Sequence, residues 1–283
     1  MISPTTIADM HIHSCASDSS DTPAQIIDKL KSKDIRIASL TDHNSVANVA
    51  EFLNSAEQND IYAISGVEIS SKIGDTIYHI LAYGFDPDDR RVAEFVDPIL
   101  AMMKGINRQL IIKMSDDYSN INVDEYDEYL YDRTRGGWAS VNYIYDKGLV
   151  KAPIDALALY RKYDCTLVSC DYPSPEEVFN HVLSWDAFPI LAHPIYYFNE
   201  THLAVESITS LYDLLKSQGL AGIECYYPSH NEAMTGISLE WCKSNNMMIT
   251  AGCDSHGSFV PGRGIGTLRI PLSKLNINQL IVG

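Results

Sequence analysis

The stretch TIADMHIHSCASDSSDTPAQIIDKLKSKDIRIASLTDH, residues 6–43, decides the fold. Its first eight residues alternate in a way that reads as a β-strand, and Asp9, His11 and His13 fall on one face of it. In the segment that follows, Thr22 is placed to cap a helix, Pro23 occupies its first turn, and Ile26, Ile27 and Leu30 form an apolar face. IRIASLTDH then reads as a second strand ending in His43. Strand, helix and strand in close succession predict parallel strands covered by helices.

The same alternation continues outward. SVANVAEFLNSAEQN reads as a second helix opened by Ser45, and IYAISGVEIS and TIYHILAYGF as two further strands. From Val92 to Arg161 the strand signal disappears, and the chain becomes helical, acidic and rich in tyrosine (NVDEYDEYLYDRTR). The α/β pattern returns with the helix SPEEVFNHVLSW, the strand FPILAHP, the helix VESITSLYDLLKSQG, the strand AGIECYY, the helix NEAMTGISLEWCKSNN and the strand MMITAGCDSH. The expected architecture is a mainly parallel α/β barrel formed by residues 1–91 and 174–283, interrupted by a mainly helical insertion subdomain, residues 92–173.

Composition narrows the function. The 283 residues are 46% hydrophobic and 20% charged, enough apolar material for a sizeable core. A formal charge of −16 repels nucleic-acid backbones and anionic bilayers, so neither a long nucleic acid nor a membrane is an expected partner. The six cysteines form no CxxC pair, and the N-terminal segment lacks the basic and apolar regions of a secretory signal. The expectation is a cytoplasmic protein with reduced thiols.

The polar residues that stand out sit at the ends of the predicted strands. They are His11, His13, His43, His79, His193 and His256, with Asp18, Glu68 and Asp254. In a barrel of parallel strands such ends meet on one rim. Imidazole and carboxylate together bind divalent first-row metals, and Zn, Mn and Fe are all compatible. Nine candidate ligands exceed what one tetrahedral ion uses and suit two or three ions. Three dications against three carboxylates would leave a positive pocket in an acidic protein, suited to a phosphate dianion. Asp9 and Asp42 are expected to orient imidazoles. His181 and His202 carry no motif and read as surface residues.

These residues, in order, resemble the PHP (polymerase and histidinol phosphatase) superfamily of metal-dependent phosphoesterases. The matching motifs are Asp9-Met10-His11-Ile12-His13, then Asp18, Thr41-Asp42-His43, Glu68, His79, Ala192-His193-Pro194 and Asp254-Ser255-His256. Each is short, but the ordered set spans nearly the whole chain. The resemblance implies a distorted (β/α)7 TIM-like barrel with a trinuclear site for phosphate-ester hydrolysis. It is strongest to stand-alone members acting on nucleoside 3′,5′-bisphosphates, so a small phosphorylated nucleotide is the expected substrate. The expected chemistry is in-line attack by a hydroxide bridging two ions, with His11, His13, Glu68, Asp254 and His256 as its catalytic members and Glu68 as the bridging ligand. Arg135, Arg263 and His230 are expected to contact substrate. Relatives often carry Arg-Pro-His where this chain has Arg135-Gly136-Gly137. A histidinol-phosphate phosphatase or a 5′-3′ exonuclease on short oligonucleotides would share the site. A metal amidohydrolase also uses His-x-His on its first strand but commonly recruits a strand-end lysine, which is lacking here. A non-catalytic module fits poorly with an intact ligand set.

Overall fold

A computed structural model describes residues 2–196 and 205–281; His202 lies outside the described residues. Strand β1 (Ile7–Ile12) leads through a loop to helix α1 (Pro23–Ser32), β2 (Ile35–Leu40), α2 (Val49–Glu57), β3 (Tyr62–Ile64), β4 (Gly66–Ile73) and β5 (Thr76–Tyr83). Helix α1 starts as its sequence predicts. The Gln25 amide donates to Thr22 Oγ1 at 3.3 Å while the Thr22 amide donates to Gln25 Oε1 at 2.9 Å, a reciprocal cap that satisfies two otherwise orphaned donors. Ile26, Ile27 and Leu30 are buried against the sheet. Helix α2 starts later than Ser45, at Val49, because residues 44–48 are spent turning the chain past the rim.

Two hydrogen-bonded sheets form, in the orders β3-β2-β1-β9 and β4-β5-β6-β7-β8, where β6 is Phe188–Leu191, β7 Gly222–Tyr226, β8 Met248–Ala251 and β9 Ile270–Pro271. The predicted third strand therefore splits: Tyr62–Ile64 pairs with β2, and the chain after Ser65 joins the other sheet. The expectation of mainly parallel pairing holds for β1–β2–β3 and β6–β7–β8 only. Strands β4 and β5 are joined by Gly74-Asp75, and a two-residue connection can return a strand only antiparallel. Strand β6 then runs antiparallel to β5.

Among the described residues the two sheets do not merge into one continuous closed ladder, but they are stitched together at two points. Ile12 bridges Ser255 in parallel, with the His13 amide donating to the Ser255 carbonyl at 3.0 Å. His43 bridges Glu68, with the Asn44 amide donating to the Glu68 carbonyl at 2.8 Å and the Glu68 amide to the Asp42 carbonyl at 3.2 Å. Both stitches lie beside candidate metal ligands, so the contacts that join the sheets also bring these residues together.

No strand is described between residues 92 and 173. This segment forms α3 (Arg90–Asp117), α4 (Val123–Asp127), α5 (Ala139–Asp146) and α6 (Leu157–Lys162) with short 3₁₀ turns between them. Helix α3 buries Val92, Val96, Ile99, Met103, Ile106, Leu110 and Met114, a three-to-four spacing that makes one apolar stripe. The stripe belongs to the same buried cluster as Val67, Ile69 and Ile80 of the sheet and Val141 and Ile144 of α5. The insertion is thus welded to the sheet by shared core. Helices α7 (Pro175–Ser184), α8 (Val205–Gln218) and α9 (Glu232–Ser244) cover the second sheet. No helix among the described residues is long and apolar enough to cross a membrane.

Candidate metal centre

The nine residues singled out by their strand-end positions meet in space. His11 Nε2, His13 Nε2, Glu68 and Asp254 form one group of converging donor atoms; His13, Asp18, His43 and His256 form a second; His43, Glu68 and His79 form a third. His193 adjoins them, with Nε2 2.9 Å from Glu68 Oε1. Glu68 is the hub. Its Oε1 lies 2.9 Å from His79 Nδ1, and its Oε2 lies 3.2 Å from both His11 Nε2 and His13 Nε2 and 3.1 Å from His43 Nδ1. A carboxylate that faces a different set of imidazoles with each oxygen has the geometry to be shared between two cations.

The arrangement fits metal better than it fits bare protein. His11 Nε2 and His13 Nε2 face each other at 3.1 Å, and Asp254 Oδ1 lies 3.1 Å from the latter. Within the described residues, the buried atoms His13 Nδ1, His43 Nδ1, Asp18 Oδ1 and Glu68 Oε2 have no hydrogen-bond partner. Buried acceptors converging without donors are costly unless a cation lies among them.

Electrostatics show the same tension. Burial opposes charge on His13, yet the Asp254 and Glu68 carboxylates push its imidazole up to about 10 in the metal-free protein. His11, also buried, is raised well above the usual histidine value by Glu224, Glu68 and Asp254. Burial takes His43 the other way, down to about 3. Burial would raise Glu68, but His43, His11 and His79 outweigh it and hold the carboxyl well below the usual range. A dication among these carboxylates would balance their charge without charging any imidazole, and ligating histidine must be neutral.

The surrounding residues set ligand orientation. His11 Nδ1 donates to Glu224 Oε1 at 3.0 Å, which leaves Nε2 facing the cluster, and the His193 amide donates to Glu224 Oε2 at 2.8 Å. Glu224 was not among the residues singled out from sequence. The only available signal was a carboxylate inside the apolar strand AGIECYY. His256 Nδ1 donates to the Asp254 carbonyl at 2.8 Å, turning its Nε2 toward Asp18. His193 and Asp254 adopt φ of +27° and +50°, a left-handed backbone that costs roughly 1–2 kcal/mol each and is found where function demands a particular aim.

Asp9 and Asp42 act differently from the expectation that they orient imidazoles. Asp9 Oδ1 accepts from the Cys253 amide at 2.9 Å and so ties β1 to the segment carrying Asp254. Asp42 accepts from the Ser14 amide at 2.7 Å, from Ser14 Oγ at 2.6 Å and from Ser17 Oγ at 2.5 Å, which shapes the loop that presents Asp18. Asp9 thus acts through a backbone amide, and Asp42 through one amide and two serine hydroxyls of the loop that carries Asp18.

Of the expected substrate contacts, Arg263 is at the cluster: its Nη1 donates to Asp254 Oδ2 at 2.8 Å, and Tyr227 OH donates to the same oxygen at 2.8 Å. His230 donates through Nδ1 to the Cys225 carbonyl at 3.1 Å, and burial takes its imidazole down to about 4. Arg135 turns away to a two-pronged pair with Asp146, at 3.0 and 2.8 Å. The Gly136-Gly137 pair has its own reason. Both glycines have φ near +70°, a Cβ on either would fall 2.5–2.6 Å from Phe259, and the Gly137 amide donates to the Asp18 carbonyl at 2.7 Å. Larger residues could not dock against the Asp18 loop in this way.

Comparison with known proteins identifies the family. The PHP domain matches residues 9–164, and the chain belongs to that family. It is 24% identical over 278 residues to the 3′,5′-nucleoside bisphosphate phosphatase of Chromobacterium violaceum, covering 91% of this chain and 90% of the relative. It is also 24% identical over 267 residues to the phosphoribosyl 1,2-cyclic phosphate 1,2-diphosphodiesterase of Eggerthella lenta, covering 89% and 95%. A crystal structure from Bifidobacterium adolescentis, described as that of a metal-dependent phosphoesterase, superposes with a TM-score of 0.78 at 21% identity, over 98% of this chain and 96% of that one. That likeness extends to the fold.

Proposed function

We propose that this protein removes phosphate from a small phosphorylated nucleotide, of the class represented by nucleoside 3′,5′-bisphosphates. It is a hydrolase acting on phosphoric ester bonds. The observation that carries the reading is the set of three donor groups sharing His13, His43 and Glu68, in a chain belonging to a phosphoesterase family. Two or three divalent ions (Mn, Fe or Zn) would be held by His11, His13, Asp18, His43, Glu68, His79, His193, Asp254 and His256. When bound, such ions supply Lewis acidity toward the phosphoryl oxygens and make water a better nucleophile near neutral pH.

The chain's own residues would do the rest. Glu68, presenting each oxygen to a different set of imidazoles, holds the groups in register. Arg263, which donates through Nη1 to Asp254 and through Nη2 to the Tyr196 hydroxyl, has further N–H groups with which to meet a phosphoryl oxygen. His230, whose Nδ1–H is held by the Cys225 carbonyl and whose Nε2 is buried without a partner among the described residues, presents a bare ring nitrogen able to accept a hydrogen bond or proton from substrate or water. The two stitched sheets are read as the distorted (β/α)7 barrel, with residues 92–173 as its helical subdomain.

The test is direct. Purified protein is assayed for bound metal and for phosphate release from nucleoside bisphosphates, nucleoside monophosphates and short 5′-phosphorylated oligonucleotides, with and without chelator. Chelator-sensitive release is expected, fastest on a bisphosphate. No release from any ester with Mn, Fe or Zn present refutes the reading.

A further inference from the structure

Beside the metal centre, between the Asp18 loop and the insertion, lies a cleft of about 440 Å³ whose lining includes Ala16, Lys104, Arg108, Tyr131, Arg133 and Trp138. It abuts the centre on two sides. The Trp138 ring lies 6.4 Å from that of His43, and Arg133 Nη2 donates to the carbonyl of Ser17, the residue before Asp18, at 2.8 Å.

The cations in this cleft are not all alike. Arg108 is neutralised by two 2.7 Å bonds to Asp127, and the insertion's Arg135 and Lys147 are likewise paired, with Asp146 and Glu125. Arg133 meets a carbonyl and the face of Tyr131, its guanidinium carbon 5.5 Å from the ring centre. Lys104 stands exposed on α3, and among the described residues neither it nor Arg133 has a carboxylate partner. In a chain with 37 acidic and 21 basic residues, a cleft in which cations outnumber carboxylates is a local inversion of charge. Aromatic walls beside those cations suit a planar ring joined to an anion.

We propose that this cleft binds the part of the substrate that is not hydrolysed, and that this part carries a second phosphate held by Lys104 and Arg133. The assignment rests on the phosphoesterase reading above and deepens it: esters whose remainder is anionic are selected, and esters whose remainder carries an ammonium group are rejected. Arg135, engaged by Asp146, takes no part. The second phosphate can come from a nucleoside bisphosphate or from the next linkage of a short oligonucleotide, and both sources present the same charge to the cleft.

The experiment compares kcat/KM of the Mn-loaded protein on a nucleoside 3′,5′-bisphosphate, the corresponding 3′-monophosphate, and a 5′-phosphorylated dinucleotide. Wild type should prefer the substrates with a second phosphate, and the better of the two identifies the source. Lys104→Glu and Arg133→Gln should each lower the preference for a second phosphate by about tenfold, the loss expected for one charge-assisted hydrogen bond. Lys151→Ala, an exposed lysine of the same insertion, should leave it unaltered. Lys104 is exposed and has no carboxylate partner among the described residues, so its variant reports on the cleft even if Arg133→Gln folds poorly. A preference unchanged in Lys104→Glu, or absent in wild type, overturns the proposal. Calorimetric binding of the bisphosphate to chelator-treated protein separates the two claims. Lack of turnover with binding weakened by Lys104→Glu removes the phosphoesterase reading and keeps the cleft; turnover with binding indifferent to Lys104→Glu does the reverse.

Discussion

Glu224 holds two candidate ligands at once: one carboxylate oxygen accepts from His11 Nδ1 at 3.0 Å, the other from the His193 amide at 2.8 Å. It is fully buried on β7, and 213 positions separate it from His11. Removing the charge while keeping the shape should therefore loosen metal more than it loosens the fold. Glu224→Gln is expected to weaken metal binding by about 10- to 100-fold, read by competition with a chromophoric chelator. The thermal transition of the metal-free protein should stay cooperative. Unaltered metal affinity would show that His11 needs no such brace.

The metal-free protein should lose stability as pH rises above neutrality. His13 is raised to about 10 from an ordinary 6.5, and His11 is raised as well, so each stabilises the fold fully below about 6.5 and progressively less as pH climbs through its folded value. The depressed histidines His43 and His230 act in the opposite sense, but only below their unfolded value, and are neutral in both states above it. Melting temperature in chelator should fall between about pH 7 and about pH 9. With metal bound, ligands must be deprotonated and the slope over the same range should flatten or reverse. A rising curve in chelator would contradict these assignments.

Gly252 marks a place where β1 and the end of β8 touch. A Cβ there would sit 2.2 Å from His11 Cβ and 2.6 Å from the His11 amide nitrogen. Neither can retreat, because β1 is paired with β2 on its other side. Gly252→Ala should destabilise the protein by about 2 kcal/mol and displace His11, lowering both the urea midpoint and metal content. An unchanged midpoint would mean that the two segments are further apart than they stand here.

Arg263 and Tyr227 both donate to Asp254 Oδ2, each at 2.8 Å. Their combined hold leaves Oδ1 as the oxygen facing His13, at 3.1 Å. Arg263→Ala should reduce kcat/KM for phosphate release by about tenfold or more, the scale of losing one charge-assisted hydrogen bond. Tyr227→Phe, which removes one donor and keeps the ring, should cost less. Equal effects of the two would deny Arg263 any role beyond bracing Asp254.

Much of the centre was legible because its ligands are read from local pattern. His11 and His13 alternate on a strand, and alternation is a property of six or seven consecutive residues. His43, Glu68, His193 and Asp254 each close or follow an apolar run that forms a strand in the fold. The misreadings share a cause. Asp9, Asp42 and Arg135 were given partners by chemical type, whereas their partners, Cys253, Ser14 and Asp146, depend on which backbone or carboxylate lies within reach. The long third strand looked continuous because apolar content does not reveal that Ser65 leaves one sheet and enters another.

By itself, then, the sequence picked out the side chains that converge in the fold as candidate ligands, since residue type and short-range periodicity require no knowledge of neighbours, although Glu68 and His79 lie within β4 and β5 rather than at strand ends. Tertiary structure decided the strand order, the two stitches at Ile12–Ser255 and His43–Glu68, and the choice of Glu224 as a brace. It also left Arg133 and Lys104 without carboxylate partners among the described residues while pairing Arg135 with Asp146. Those outcomes depend on contacts between segments far apart in the chain. Such contacts are set by how the whole apolar surface is buried, and no local window of sequence contains that information.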